Sequence, residues 1–159
     1  MDNNKSVYDM AIEDCILAVK QNSSSATAYH SLGIAYLNRG CKNDDKNDNQ
    51  LALDCFNKAI NLDQNFATAY NNRGFAHRCI GDNYQAITDF DQAISQHQKS
   101  MSSCLNNVIE SISLSVAYYN RGNAYKDKGE FEKAIADWKM ALIIDPNNID
   151  ARINLGVRE

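Results

Sequence analysis

Apolar residues recur at the three- and four-residue spacing of a helix face in four related stretches, Ala11–Val19, Leu51–Ile60, Ala86–Ile94 and Ala134–Leu142. In the last three, Phe56, Phe90 and Trp138 hold the same place between flanking alanines. A second pattern alternates with the first. It reads Ala26-Thr-Ala-Tyr-His-Ser-Leu-Gly-Ile-Ala-Tyr36, then Ala67-Thr-Ala-Tyr-Asn-Asn-Arg-Gly-Phe-Ala-His77, then Ser115-Val-Ala-Tyr-Tyr-Asn-Arg-Gly-Asn-Ala-Tyr125, and it begins again at Ile149-Asp-Ala-Arg-Ile-Asn-Leu-Gly156. The alternation predicts an all-α chain of stacked helix pairs, because one pair cannot bury both its faces and neighbours must complete the core. Gly33, Gly74 and Gly122 let two backbones approach, and Phe56, Phe90 and Trp138 fill the space between successive pairs.

The recurring small and aromatic residues resemble those of the tetratricopeptide repeat. They are Tyr29, Gly33, Tyr36, Ala52, Phe56 and Ala59 in the first copy, and Tyr70, Gly74, Ala86, Phe90 and Ala93 in the second. The third copy is the fullest match, with Tyr118, Gly122, Tyr125, Gly129, Phe131, Ala134, Trp138, Ala141 and Pro146. The resemblance implies a right-handed α-solenoid of antiparallel helix pairs that binds a protein or peptide ligand on its concave face.

Spacing divides the chain. Gly122 to Gly156 is 34 residues, the period of this family, but Gly33 to Gly74 is 41 and Gly74 to Gly122 is 48. We therefore read 1–25 as the second helix of a truncated repeat, 26–66 as repeat 1 and 67–100 as repeat 2. An insertion covers 101–114, repeat 3 covers 115–148, and 149–159 is the first helix of a truncated or capping repeat. Repeat 1 carries its own polar insertion near 41–47, which predicts a solvated loop. Its Asn43, Asp44, Asp45, Asn47 and Asp48 lack the ordered ligand spacing and terminal Glu of a calcium loop. The second insertion carries Leu105, Val108, Ile109, Ile112 and Val116 at helical spacing, with Ser102 or Ser103 as N-cap. It predicts a helix running on into repeat 3, its apolar face in phase.

By family resemblance, the first helix of each repeat lines the concave face. The residues projecting there are Ser31, Asn72, Asn120 and Asn154, then Ile34, Phe75, Asn123 and Val157, then Leu37, Arg78 and Lys126. Asn72, Asn120 and Asn154 stand in register. An amide both donates and accepts, so such a row can pair with the backbone of an extended peptide of any sequence. It resembles the asparagine ladder of some tetratricopeptide superhelices. The family's carboxylate clamp for chaperone tails falls on His30, Ile34, Asn72, Val116 and Asn120, where only Asn72 matches; one repeat along, Asn71, Phe75, Asn120, Asp150 and Asn154 give one match again. Arg73 and Arg121 are expected to pair with Asp89 and Asp137 on the partner helices.

Composition excludes other classes. With 16 basic and 20 acidic residues the net charge is -4, which gives no basic patch for nucleic acid or an anionic membrane. The five cysteines are odd in number and widely spaced, which favours free thiols and a cytoplasmic setting over a disulfide framework. No phosphate-binding loop, GxSxG or HExxH occurs, and the three histidines lack ligand-spaced partners in sequence, so neither catalysis, metal nor cofactor is expected. The alternative reading is a regulatory or substrate-recruiting segment of a larger enzyme. The half-repeats at the two ends predict apolar edges able to meet head to tail between copies.

Overall fold

The computed structural model describes residues 6–103 and 108–156. Among these, eight α-helices follow one another with no strand: α1 (Val7–Gln21), α2 (Ala26–Asn43), α3 (Lys46–Leu62), α4 (Ala67–Cys79), α5 (Asn83–Ser103), α6 (Val108–Asp127), α7 (Phe131–Ile144) and α8 (Ile149–Asn154). Side-chain oxygens start several of them. Ser6 accepts from the Tyr8 amide, Ser25 from Ala28, Asp45 from Asn47 and Asn148 from Ala151. Gly81 and Gly129, at φ 88° and 79°, make the tight turns into α5 and α7.

Each helix packs on its chain neighbours, as a solenoid requires. The core repeats with the sequence. Phe56 and Phe90 are fully buried and Trp138 nearly so, each between buried alanines one turn away. A Cβ added at Gly33 would stand 2.6 Å from Phe56, at Gly74 2.8 Å from Phe90 and at Gly122 2.7 Å from Trp138. Glycine is thus the residue that admits the ring of the second helix against the first.

The first insertion differs from its expected form, whereas the second runs on into repeat 3 as one helix, α6. The polar stretch 41–47 is not a loop, because α2 runs to Asn43 and α3 starts at Lys46, leaving Asp44 and Asp45 as the whole turn. Seven residues are about two helical turns, so an insertion at a hairpin adds one turn to each arm and preserves their pairing. In the added turn, Gly40 packs on Asp48 and Asn49, whose side chains are buried. The second insertion is likewise shared between two arms. Helix α5 has 21 residues against 14 in α7, and α6 has 20 against 13 in α4, seven more in each. Ser102 and Ser103 lie within the described part of α5. Leu105 and Val157 lie outside the described residues.

This α5–α6 extension is held by polar contacts. Buried His97 meets Glu110 at 2.6 Å through Nδ1, and the Gln98 amide donates to the Tyr118 hydroxyl at 3.1 Å. Its expected apolar face is only partly covered. Leu114 is buried, but Val108 and Ile109 are 70% and 76% exposed.

Candidate functional site

The first helices of the repeats, α2, α4 and α6, stand side by side, and their polar residues meet across the seams. Nδ2 of Asn72 donates to Nε2 of His30 at 2.9 Å, which makes that nitrogen the acceptor and the ring neutral. Burial holds His30 below its ordinary pKa of 6.5, against a smaller opposing effect of its hydrogen bond with the Thr68 backbone. Asn120 donates to Asn71 Oδ1 at 3.1 Å, and Asn154 donates to Asn123 Oδ1 at 3.0 Å. Asn71 and Asn72 touch at 3.5 Å, so His30, Asn72, Asn71 and Asn120 form one polar chain across three helices.

This arrangement alters the expected ladder. Its asparagines reach sideways to His30, Asn71 and Asn123, because a short amide on a closely packed helix finds its nearest partner on the adjacent one. Asn120 and Asn123 are buried, whereas Asn72 and Asn154 are half-buried. Ile34 and Phe75 are half-buried against the core around Phe56, and Leu37 belongs to that core outright. Arg78 stacks on Phe75 at 5.4 Å and bonds Asp127 of α6 at 2.8 Å, so its charge is balanced within the fold. Lys126 is exposed.

A cavity of about 290 Å³ opens on this network. Thr68, Asn71, Asn72, His30 and His97 give its polar lining, and Ile112 and Val116 of the extended α6 form an apolar wall. Val116 also borders a second cavity, where Tyr119, Asn120 and Asn148 face Ile149. The two hollows flank one apolar side chain. No Lys or Arg lines either of them. The geometry offers amide and imidazole groups beside a hydrophobic step, with Asp145 and Asp150 at the second hollow, so hydrogen-bonding groups and one apolar wall lie side by side. Among the described residues no group of three metal-ligating side chains occurs.

The arginines before the glycines have a structural task. Arg73 makes paired bonds to Asp89 at 2.9 and 2.5 Å, and Arg121 to Asp137 at 2.8 and 2.7 Å, as their spacing predicted. A third pair went unread in the sequence: Arg39 with Asp48, both bonds 2.7 Å. Each arginine also reaches the preceding helix pair, at Asp9, Asn57 and Asp91 respectively for Arg39, Arg73 and Arg121. The signal was the tripeptide Asn-Arg-Gly at 38–40, repeated at 72–74 and 120–122. Also missed were His97 and Thr68, which no repeat-position rule singles out, and the role of Asn71 as acceptor for Asn120.

The comparisons agree with this architecture. The family model described as "Tetratricopeptide repeat" matches residues 115–148, and the one described as "TPR repeat" matches 45–78. The chain thus carries tetratricopeptide repeats in these two stretches. Its fold is similar to the first TPR of Spaghetti (RPAP3) bound to HSP90 peptide SRMEEVD, with TM-score 0.68 and 23% identity over 85% of this chain and 90% of that one. It is similar to the crystal structure of MamA, with TM-score 0.69 and 25% identity over 97% and 83% of the two chains. The TPR domain of Arabidopsis OM64 gives TM-score 0.62 and 26% identity over 82% and 91%. No curated protein sequence matches the chain. This tetratricopeptide chain is a protein-interaction module, of a fold that generally serves as a non-catalytic scaffold. No described helix is long and apolar enough to cross a membrane.

Proposed function

We propose that the module holds an extended peptide segment of a partner protein along its concave face, and reads an apolar side chain of that segment beside Val116. The cavity carries this reading, because it joins the half-buried amide of Asn72 to the part-exposed Ile112 and Val116 within one hollow. A hollow of about 290 Å³ suits one side chain, and the amides that line it suit the main chain on either side. A neighbouring TPR in complex with a peptide supports a ligand of this class. The clamp positions are unlike those of an acidic-tail receptor. His30, Asn72 and Asn120 are tied to their neighbours, Ile34 is half-buried, and no cation lines the cavity. An uncharged, apolar-anchored segment fits better than a carboxylate terminus.

Selection from a displayed library of random decapeptides, followed by calorimetry on the winners, tests the proposal. Asn72→Ala combined with Ile112→Asp is expected to weaken binding at least about tenfold, some 1.4 kcal/mol, with helicity unchanged. Selected peptides that bind both proteins equally would reject the concave-face reading.

A specific observation also favours contact between copies. Val7 and Leu17 on α1 and Ile149 and Ile153 on α8 are exposed, at opposite ends of the stack. Head-to-tail packing would bury both edges, and light scattering should then show mass rising with concentration and falling back in Ile153→Asp.

A further inference from the structure

Cys41 lies in the last turn of α2 and Cys79 is the last residue of α4. Thirty-eight residues apart in sequence, their sulfurs are in contact at 3.5 Å, and both residues are exposed. The contact follows from the first insertion. That insertion carries α2 a turn further, so Cys41 stands two turns beyond Ile34 on one face and meets the end of the neighbouring helix. A disulfide needs the sulfurs at about 2.05 Å, a closure of roughly 1.5 Å that side-chain rotation and two helix ends can supply.

We infer that Cys41 and Cys79 form a reversible thiol–disulfide site that joins the ends of α2 and α4 when a low-molecular-weight disulfide is the oxidant. The thiolate of Cys41 attacks one sulfur of oxidised glutathione, forms a mixed disulfide and expels one glutathione thiolate. Cys79 loses its proton to water, and its thiolate attacks the Cys41 sulfur, expelling the second glutathione thiolate. The protein gives up two electrons and two protons, and the reagent disulfide leaves as two thiols. The surrounding chain and the adjoining Cys41 sulfur hold the Cys79 thiol above the ordinary range, partly opposed by Arg78. Both side chains are exposed, and the two exchanges balance equally with either thiol entering first.

The cross-link would fix two of the helices that floor the concave face. Ile34 and Phe75 lie on the same helices as the two sulfurs, so closure sets the seam between repeats at that edge. Only this consequence rests on the concave-face reading; the bond itself does not.

The full chain, equilibrated in glutathione buffers from reducing to oxidising and quenched by alkylation, provides the test. The expected product is a monomer lighter by two hydrogens, containing a Cys41–Cys79 linked peptide that dithiothreitol removes. Its melting temperature should exceed that of the reduced chain by several degrees. Cys41→Ser and Cys79→Ser should each abolish the linked peptide and the rise in melting temperature, whereas Cys55→Ser should abolish neither. Oxidation that stops at separate glutathione adducts on the two cysteines, or joins either one to another cysteine, would overturn the assignment. Since the linked peptide and melting are read without any ligand, failure here is distinct from failure of peptide binding.

Discussion

Gly74 shows how one residue sets the distance between two helices. A Cβ there would stand 2.8 Å from the Phe90 ring and 3.0 Å from the Ala86 carbonyl oxygen, and neither a buried ring nor a backbone can yield easily. Gly74→Ala should cost roughly 1–3 kcal/mol through overpacking, although alanine favours helix at an open site. Urea denaturation checks it, and a stabilised variant would contradict the packing account. His30 carries a different kind of prediction. In the folded chain its pKa and that of His77 lie below 6.5, mainly through burial, and at His77 against the pull of Asp89. The unfolded chain then binds more protons as pH falls through 6.5, so stability present above that pH is lost between 6.5 and the folded pKa. Melting temperature should fall between pH 7.5 and 5.5, and His30→Gln, which keeps a polar partner for Asn72 without titrating, should reduce that fall. The glycines were legible in the sequence because they recur in register. His30 was not, because its role depends on an amide of the next repeat, 42 residues away.

At the level of elements, the chain tolerates its insertions because each lengthens both arms of a hairpin by whole turns. The added turn of α2 and α3 would be weakly held if it were only polar helix in water. Arg39 instead bridges buried Asp48 and the Asp9 carboxylate of α1, and stacks on Tyr36 at 5.7 Å. Arg39→Ala strands a carboxylate whose side chain is only 5% exposed, at a cost of about 1–3 kcal/mol, moderated because the guanidinium itself is part-exposed. The double change Arg39→Leu with Asp48→Leu should recover much of the loss, since no unpaired charge then remains buried. Thermal denaturation of the single and double variants decides between pairing and mere packing. Spacing alone pointed to two insertions in the sequence. It did not reveal their shape, because composition in the polar stretch speaks for a loop, whereas pairing with a partner helix overrides local preference. In the apolar insertion, helical periodicity was visible but not the hairpin that divides it, since residues on both sides share one helical character.

Across the whole molecule, a stack in which each helix leans only on its neighbours has stability that varies with position. The middle helices are covered on two sides. Helix α4 packs between α3 and α5 and also meets α2 and α6, whereas α1 meets α2 and the six-residue α8 meets α7. Opening at an end therefore exposes one interface, while opening at the centre exposes several. Amide hydrogen exchange should follow this order, with α4 and α5 the most protected, α1 less so and α8 the least. The long α5–α6 pair adds a second expectation. In the described residues beyond Gln96 and before Leu114, His97 and Glu110 join the two arms at 2.6 Å. Their amides should exchange faster than those of the same helices around Phe90 and Ala124, which are fully buried. His97→Ala should speed exchange in this extension while leaving α2 and α3 unchanged, because a one-dimensional stack passes little of a local loss to distant repeats. Uniform acceleration along the chain would instead mean that the solenoid opens as a single cooperative unit.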